Sequence, residues 1–214
     1  MLRAEIEELN STSFEDLLDE WSTQYASTAI DPLLDLARAR SNTDKVRYVA
    51  LMGAAKLGGP AGAERLIPFL KDPSWMIRNA SLRALGALNN PKTAPSVLPL
   101  LHDPALVVRL EAVEAVRRLR PPGSAQALVN TLRNQDNYRN GKAQWVPVQS
   151  LDVLAELNDA SIVPALKPLL DHRHDPELQK KTIETLRALT GKKLAEGKPL
   201  PRQIVSWKRE LSSR

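Results

Sequence analysis

Apolar residues recur along most of this chain with the three- to four-residue spacing of an amphipathic helix. A clear example is the stripe formed by Ile77, Leu82, Leu85 and Leu88, which has polar residues between its members. A stripe of this period covers one face of a helix, and that face must pack against another element. Short polar breaks that contain Pro, Gly or Asp separate the apolar runs. The pattern therefore predicts an all-α protein built from many short helices.

The helical pattern repeats at an interval of 31 residues, which relates Asp72-Pro73 to Asp103-Pro104 and Arg78 to Arg109. Each copy contains a short apolar run before the Asp-Pro turn and a second amphipathic helix after it. One such helix pair cannot bury its apolar stripe alone, so several must stack. We predict five pairs over about residues 26–191. The weaker copies begin near Ile30, Ala127 and Val163.

The two clear copies follow the runs Leu-x-Pro-Leu-Leu-x-Asp-Pro and Val-Arg-x-x-Ala-x-x-x-Leu-x-x-Leu with conservative exchanges, such as Phe69 for Leu, Ile77 for Val and Val116 for Leu, and these runs resemble the HEAT-repeat family. The resemblance implies an all-α, right-handed α-solenoid of about five HEAT-like helix pairs. It also implies a ladder in which an Arg of one repeat binds an Asp of its neighbour. Arg47, Arg78 and Arg109 occupy the Arg position, whereas Pro147 and Gln179 replace it later. We therefore expect the ladder to hold from the first repeat to the third and to break at the fourth.

Both ends of the chain have the pattern of capping helices, which an α-solenoid needs to cover its terminal apolar faces. We predict N-terminal caps over residues 1–28, the solenoid over 29–191, and a basic loop with a C-terminal cap over 192–214. Ser13 is a candidate N-cap residue. The Leu189–Gly191 turn and the Trp-containing helix after it are similar to the terminal cap of bacterial HEAT proteins. The predicted stripes are Phe14, Leu17, Leu18, Trp21 and Tyr25 in the first cap, and Leu200, Ile204, Trp207 and Leu211 in the last.

The second helix of each pair should present one face toward the concave surface of the solenoid. Several residues in that register are apolar or aromatic, and an exposed apolar patch usually marks an interaction site. We therefore predict that a protein or peptide partner binds there. The residues in this register are Tyr48, Met52, Asn79, Arg83, Leu110, Glu114, Val148, Asp152 and Lys180.

The fourth repeat carries a polar insertion, Asn134–Trp145, which is longer than the Asp-Pro turns of the other repeats. Loops on a rigid framework often carry binding groups, but extra loop length also costs little free energy. A binding loop and a tolerated surface insertion both stay open. Tyr, Trp and Arg dominate interface hot spots. The candidate contact cluster is Tyr138, Arg139, Lys142 and Trp145.

The candidate chemistry is sparse. The 214 residues include no Cys, which excludes disulfides, thiolate zinc sites and thiol catalysis. His172 and His174, with Asp171 and Asp175, form the one metal-like cluster, and its spacing favours a solvated polar turn over a metal site. No phosphate-binding loop or nucleophile elbow is present. We therefore expect a non-enzymatic protein with no metal and no cofactor.

Charge is distributed unevenly, with a net charge of −7 over residues 1–44 and +12 over residues 45–214. The acidic end should attract basic partners and the rest should attract anions. Nucleic-acid binding is therefore an alternative, although the basic residues do not share one helix face. The candidate phosphate contacts are Arg117, Arg118, Arg120, Lys180, Lys181, Lys192 and Lys193.

Two enzymatic alternatives come from the family resemblance. HEAT-like alkylpurine DNA glycosylases use a basic groove with tryptophans and a catalytic Asp, but the four tryptophans here are dispersed and no Asp can be assigned that role. HEAT-type bilin lyases carry an Asn-Tyr-Gly-Ala-Arg-like stretch, to which Asn137–Ala143 is faintly similar.

The sequence also bears on membrane insertion and on the cellular compartment. No run approaches the roughly 18 apolar residues of a membrane span, and the acidic N-terminus lacks the features of a signal peptide. We expect a monomer that is cytoplasmic or, if a signal peptide has been removed, periplasmic.

Overall fold

The computed structural model describes residues 1–8 and 14–213, which form two compact units, Met1–Pro121 and Pro122–Arg214. The described residues are helical apart from turns and one two-stranded hairpin. This architecture confirms the predicted all-α fold class of HEAT-like helix pairs. The predicted domain limits, 28/29 and 191/192, stay predictions. Ser13 and the side chain of Phe14 lie outside the described residues.

Unit 1, residues Met1–Pro121, contains two N-terminal helices followed by three helix pairs. Its elements are α1 (Leu2–Glu8), α2 (Phe14–Gln24), a 3-10 turn (Ala26–Ala29), α3 (Ile30–Arg38), α4 (Asp44–Gly58), a 3-10 helix (Pro60–Lys71), α5 (Trp75–Leu88), a 3-10 helix (Pro91–His102) and α6 (Leu106–Leu119). The second helices pack in sequence, α4 against α5 and α5 against α6. Small residues permit this packing: Ser81 and Ala112 are fully buried, and the Ser81 hydroxyl donates to the Leu66 carbonyl at 2.9 Å.

The first helix of the second, third and fifth repeats is a 3-10 helix, a tighter form than an α-helix. Prolines inside these helices explain the form: Pro68, Pro99 and Pro168 lack an N–H, so the α-helical ladder cannot continue through them. The helix ends show the corresponding three-residue bonds, such as the Asp72 N–H donating to the Phe69 carbonyl at 3.2 Å. The tighter helices still bury their apolar stripes.

The Arg–Asp ladder joins the repeats of unit 1 as predicted. Arg47 binds Asp72 through both terminal nitrogens. Arg78 binds Asp103 through Nε at 2.7 Å and Nη2 at 2.8 Å. Arg109 donates from Nη1 to the Asp103 carbonyl oxygen at 2.7 Å, as Arg78 does to the Asp72 carbonyl at 2.8 Å. Unit 1 thus contains two Arg–Asp rungs, and the expected break at the fourth repeat stays a prediction.

Unit 2, residues Pro122–Arg214, contains the last two predicted pairs, the insertion and the C-terminal helix. Its elements are α7 (Ser124–Thr131), a 3-10 turn (Gln135–Asn137), β1 (Tyr138–Arg139), β2 (Lys142–Ala143), α8 (Trp145–Leu157), a 3-10 helix (Ala160–Asp171), α9 (Pro176–Thr190) and α10 (Leu200–Ser212). α10 packs against α9 and the 3-10 helix before it, burying Trp207 and Leu211 from the predicted stripe.

Candidate partner-binding surfaces

The outward residues predicted on the second helices of unit 1 form two rows across α4, α5 and α6. Members of a row are one 31-residue repeat apart, so they occupy the same register position on neighbouring helices. All are half-buried except Arg83, which is exposed. The first row comprises Tyr48, Asn79 and Leu110, and the second comprises Met52, Arg83 and Glu114.

Three of these predicted residues come together in one cavity of unit 1 with a volume of about 410 Å³. α2 packs on α4 and α4 packs on α5, and all three helices contribute side chains to this cavity. We call it the α2–α5 groove. Its lining residues are Glu15, Leu18, Asp19, Tyr48, Met52, Lys56 and Arg83.

Close packing of Trp21 against Gly53 sets the position of α2. Trp21 is fully buried, and a Cβ at Gly53 would lie 2.6 Å from its Cζ3. The Trp21 indole donates to Glu5 Oε2 at 2.7 Å, and the Tyr25 hydroxyl donates to Glu5 Oε1 at 3.1 Å. These contacts tie α1 to α2 and hold α2 on α4. The sequence predicts that Trp21 covers the first repeat, but it does not predict that α2 completes a groove.

The groove combines apolar surface with both signs of charge. Tyr48, Met52 and Leu18 supply its half-buried apolar part. Asp19 Oδ1 lies 3.4 Å from Lys56 Nζ, and the two side chains are 75% and 54% exposed. Water screens an ion pair this exposed, so both charges stay available to a ligand at little cost.

At the α6 end of the two rows, polar side chains already have intramolecular partners. Glu114 accepts from Arg117 Nη1 at 3.1 Å and from Arg118 Nε at 3.0 Å, so its carboxylate is already bound. Burial raises the pKa of the neighbouring Glu111, and the charges of Arg83 and Arg118 only partly oppose that rise. Asn79 donates from Nδ2 to the Val107 carbonyl at 3.1 Å and so joins α5 to α6. Leu110 is therefore the member of these rows at α6 that offers free apolar surface.

The insertion forms a β-hairpin in place of an irregular loop. β1 pairs antiparallel with β2, with Tyr138 opposite Ala143. The two turn residues, Asn140 and Gly141, have φ values of 52° and 74°. Two left-handed residues are what a two-residue type I′ hairpin turn requires, and Asn-Gly is the strongest short sequence signal for it. The Asn140-Gly141 pair is present in the sequence, but a helical period of apolar residues does not reveal a hairpin turn.

Tyr138 attaches the hairpin to the rest of unit 2. Its hydroxyl donates to the Leu132 carbonyl at 2.6 Å, and its ring stacks on His172 with centroids 5.3 Å apart. Burial, with a smaller contribution from Asp175, raises the pKa of Tyr138 to about 12. The Ala143 N–H donates to Asp175 Oδ2 at 2.7 Å. Of the predicted contact cluster, Arg139, Lys142 and Trp145 remain exposed.

The outward residues of unit 2 and the candidate phosphate contacts are mostly engaged in ion pairs. Asp152 binds Lys181, Lys180 binds Glu177 at 2.7 Å, and Val148 is half-buried. Each candidate phosphate contact except Arg120 has a carboxylate partner within its own unit. The remaining pairs are Arg117 and Arg118 with Glu114, Lys192 with Glu210 and Lys193 with Glu196.

The described residues hold no group of three or more His, Asp or Glu arranged to bind a metal. In the histidine turn, His172 stacks on Tyr138, and the Asp175 carboxylate accepts N–H bonds from Ala143 and Leu178. Trp21 and Trp207 are fully buried, whereas Trp75 and Trp145 are exposed. Over the part of the chain that the structure covers, no helix is long and apolar enough to cross a bilayer.

Comparison with known proteins relates this chain to a family and to solved structures. The family model of HEAT repeats matches twice, over residues 30–117 and 66–146. Among solved structures, the complex of CpcE and CpcF of phycocyanin lyase from Nostoc sp. PCC7120 is 16% identical, with a TM-score of 0.36. That match covers 98% of this chain and 93% of the other. No curated protein matches. Since the two family matches together extend from residue 30 to residue 146, more than half of the sequence, the chain belongs to the HEAT-repeat family.

Proposed function

We propose that this chain is a non-enzymatic scaffold that binds a protein or peptide segment in the α2–α5 groove and along the adjoining row residues. HEAT-repeat stacks present long surfaces formed by successive second helices, which suit extended protein ligands. The observation that carries the proposal is the convergence of Tyr48, Met52 and Leu18, from two helices, in one cavity of about 410 Å³.

The chemistry of the groove supports a peptide ligand with an apolar anchor. Tyr48 and Met52 offer an aromatic ring and an adaptable thioether, two side chains suited to covering an apolar group. Arg83 and Glu15 have no salt-bridge partner among the described residues, so both can pair with a ligand that carries both charges. The groove therefore supplies both apolar contact area and polar contacts, which are the two kinds of contact that protein-binding sites combine.

Nucleic-acid binding receives less support. A protein that binds phosphates gains affinity by replacing counterions with free Lys and Arg side chains. Six of the seven candidate contacts lie beside an intramolecular carboxylate, for example Lys192 Nζ and Glu210 Oε1 at 2.6 Å, and these carboxylates lower the net positive charge that a phosphate backbone would meet. For a glycosylase or bilin-lyase activity, no observation assigns a catalytic group.

The test is quantitative capture of partners from a lysate of the native organism by the immobilised chain and by groove variants. Met52→Asp places a charge on the apolar part of the groove, and Tyr48→Ala removes its aromatic surface. Leu110→Asp places a charge on the apolar surface at the α6 end of the row. We expect each to reduce capture of the same proteins by about tenfold or more, as for hot-spot losses.

The matched control is Ala61→Asp, an exposed position on the first helix of the second repeat, away from the groove. Circular dichroism establishes that each variant is folded. Unchanged capture by all three folded groove variants would rule out this surface as the binding site, whereas loss with Ala61→Asp as well would show that the charge itself acts non-specifically.

A further inference from the structure

We infer that unit 2 carries a second binding surface, independent of the α2–α5 groove, which recognises an acidic protein segment containing an apolar or aromatic side chain. This surface, which we call the hairpin patch, comprises Arg139 and Lys142 on the hairpin, Trp145 at the start of α8, and Arg173 in the turn before α9.

Two contacts bring the hairpin and the turn together. The Tyr138 ring stacks on His172, which adjoins Arg173 in sequence, with the centroids 5.3 Å apart. The Ala143 N–H donates to Asp175 Oδ2 at 2.7 Å, and the same carboxylate caps α9 by accepting from the Leu178 N–H at 3.0 Å. The hairpin is thus fixed to the turn at two points. Its exposed cations are therefore presented by a rigid element, which lowers the entropy cost of binding.

The cations of the patch are available for a ligand, whereas the neighbouring carboxylates are already engaged. The side chains of Arg139, Lys142 and Arg173 are exposed and have no salt-bridge partner in the described part of the chain. The neighbouring acids have other partners. Asp171 pairs with Lys208, Glu177 pairs with Lys180 at 2.7 Å, Asp175 binds two backbone N–H groups, and Asp136 has an interaction of its own.

Trp145 adds an exposed apolar surface to the patch, which charged side chains alone would not provide. It is 70% exposed, whereas the tryptophans Trp21 and Trp207 are fully buried. An indole left in water this way offers a large rigid apolar face at low entropy cost. The guanidinium groups of Arg139 and Arg173 can bind carboxylates bidentately. This combination fits Asp or Glu side chains placed on either side of an apolar or aromatic residue.

The size of the patch favours a peptide over a nucleic acid. Proteins that follow a phosphate backbone use a continuous row of free cations. Beyond the patch, the basic residues of unit 2 that could extend such a row each lie beside a carboxylate, which lowers the net positive charge there; examples are Lys180, Lys181 and Lys192. Three free cations and one indole match a short acidic segment.

The experiment measures fluorescence anisotropy with the full chain and a fluorescein-labelled peptide of repeated Glu-Asp-Phe. We expect binding that weakens steadily as NaCl is raised, and no binding of the matched peptide in which Lys replaces each acid. The double variant Arg139→Glu/Lys142→Glu should lose at least about tenfold in affinity. Trp145→Ala should lose about fivefold.

The matched control is Lys198→Glu, which reverses an exposed lysine of unit 2 that lies outside the patch and also lacks a salt-bridge partner among the described residues. It should leave affinity within about twofold of the unaltered chain, as should Ala61→Asp in unit 1. No binding of the acidic peptide, or equal losses for Lys198→Glu and the double variant, would overturn the inference. Tighter binding of a labelled oligodeoxythymidine with the same dependence on Arg139 and Lys142 would overturn it in favour of nucleic acid.

Discussion

At the scale of single residues, the Arg47–Asp72 ion pair is a buried contact that joins two repeats of unit 1. The two side chains are only 4% and 10% exposed. Burial alone would raise the pKa of Asp72, but the Arg47 guanidinium and the Ser74 N–H hold that pKa below its ordinary value. Arg47 also donates from Nε to the Ala37 carbonyl at 2.8 Å. The pair thus links the first repeat to the turn of the second.

We predict that Asp72→Asn lowers the free energy of unfolding at neutral pH by about 2–3 kcal/mol, because it removes the nearest carboxylate of the buried Arg47 and leaves the more distant Asp44, whose Oδ1 lies 3.6 Å from Arg47 Nη1. Denaturant unfolding measures this loss. The lowered pKa means that the contribution of Asp72 is present above its unfolded pKa of about 3.9 and is lost as the pH falls through the folded value. The difference in the free energy of unfolding between the unaltered chain and the Asp72→Asn variant should therefore become smaller at acidic pH.

The control is Asp35→Asn, which removes the partner of Arg38 from a pair 2.9 Å long whose side chains are 51% and 74% exposed. An exposed pair contributes about 0–1 kcal/mol. If the two substitutions had equal effects at neutral pH, the ladder would have no special role in stability.

At the scale of elements, α2 depends on the absence of a side chain at Gly53. We predict that Gly53→Ala destabilises the chain by about 1–3 kcal/mol, because its Cβ would lie 2.6 Å from Trp21 Cζ3 and overpack the contact. It should also weaken partner capture by the groove, since α2 supplies Glu15, Leu18 and Asp19. Thermal unfolding and the capture experiment measure the two effects.

Two further variants make this prediction specific. Gly62→Ala meets nothing within 4 Å, so it should be neutral or slightly stabilising. Trp21→Phe removes the ring atoms nearest to the new methyl group and should recover part of the loss when combined with Gly53→Ala. Helix propensity alone favours Ala over Gly. A loss from Gly62→Ala as large as that from Gly53→Ala would therefore mean that an added methyl group destabilises this unit without the Trp21 contact.

The sequence predicts elements well wherever one repeat constrains the next. The 31-residue offset places Asp72 and Asp103 and their Arg partners correctly, because the same contact occurs between successive repeats. It does not distinguish α from 3-10 geometry, which depends on which backbone N–H groups the prolines remove. It also does not find the α2–α5 groove, because α2 has no counterpart in the repeats and its placement follows from one close contact with Gly53.

At the scale of the whole molecule, the two compact units each bury their own core. Trp21 lies in the core of unit 1 and Trp207 in that of unit 2, and both are fully buried. In repeat proteins, stability is approximately the sum of repeat and nearest-neighbour contributions, so a local loss need not spread through the chain. The Arg–Asp rungs described here lie within unit 1.

We therefore predict that a substitution in an Arg–Asp rung lowers the stability of unit 1 and leaves that of unit 2 unchanged. Two triple variants allow the units to be followed separately by tryptophan fluorescence. The first retains Trp21 and has Phe in place of Trp75, Trp145 and Trp207. The second retains Trp207 and has Phe in place of Trp21, Trp75 and Trp145. Asp72→Asn should move the urea midpoint reported by Trp21 to lower concentration and leave that reported by Trp207 unchanged. Asp175→Asn, which weakens the acceptor of the Ala143 and Leu178 N–H groups, should do the opposite. Equal shifts at both tryptophans would instead mean that the units unfold as one cooperative block, so that a substitution in either binding surface would have to be interpreted against the stability of the entire chain.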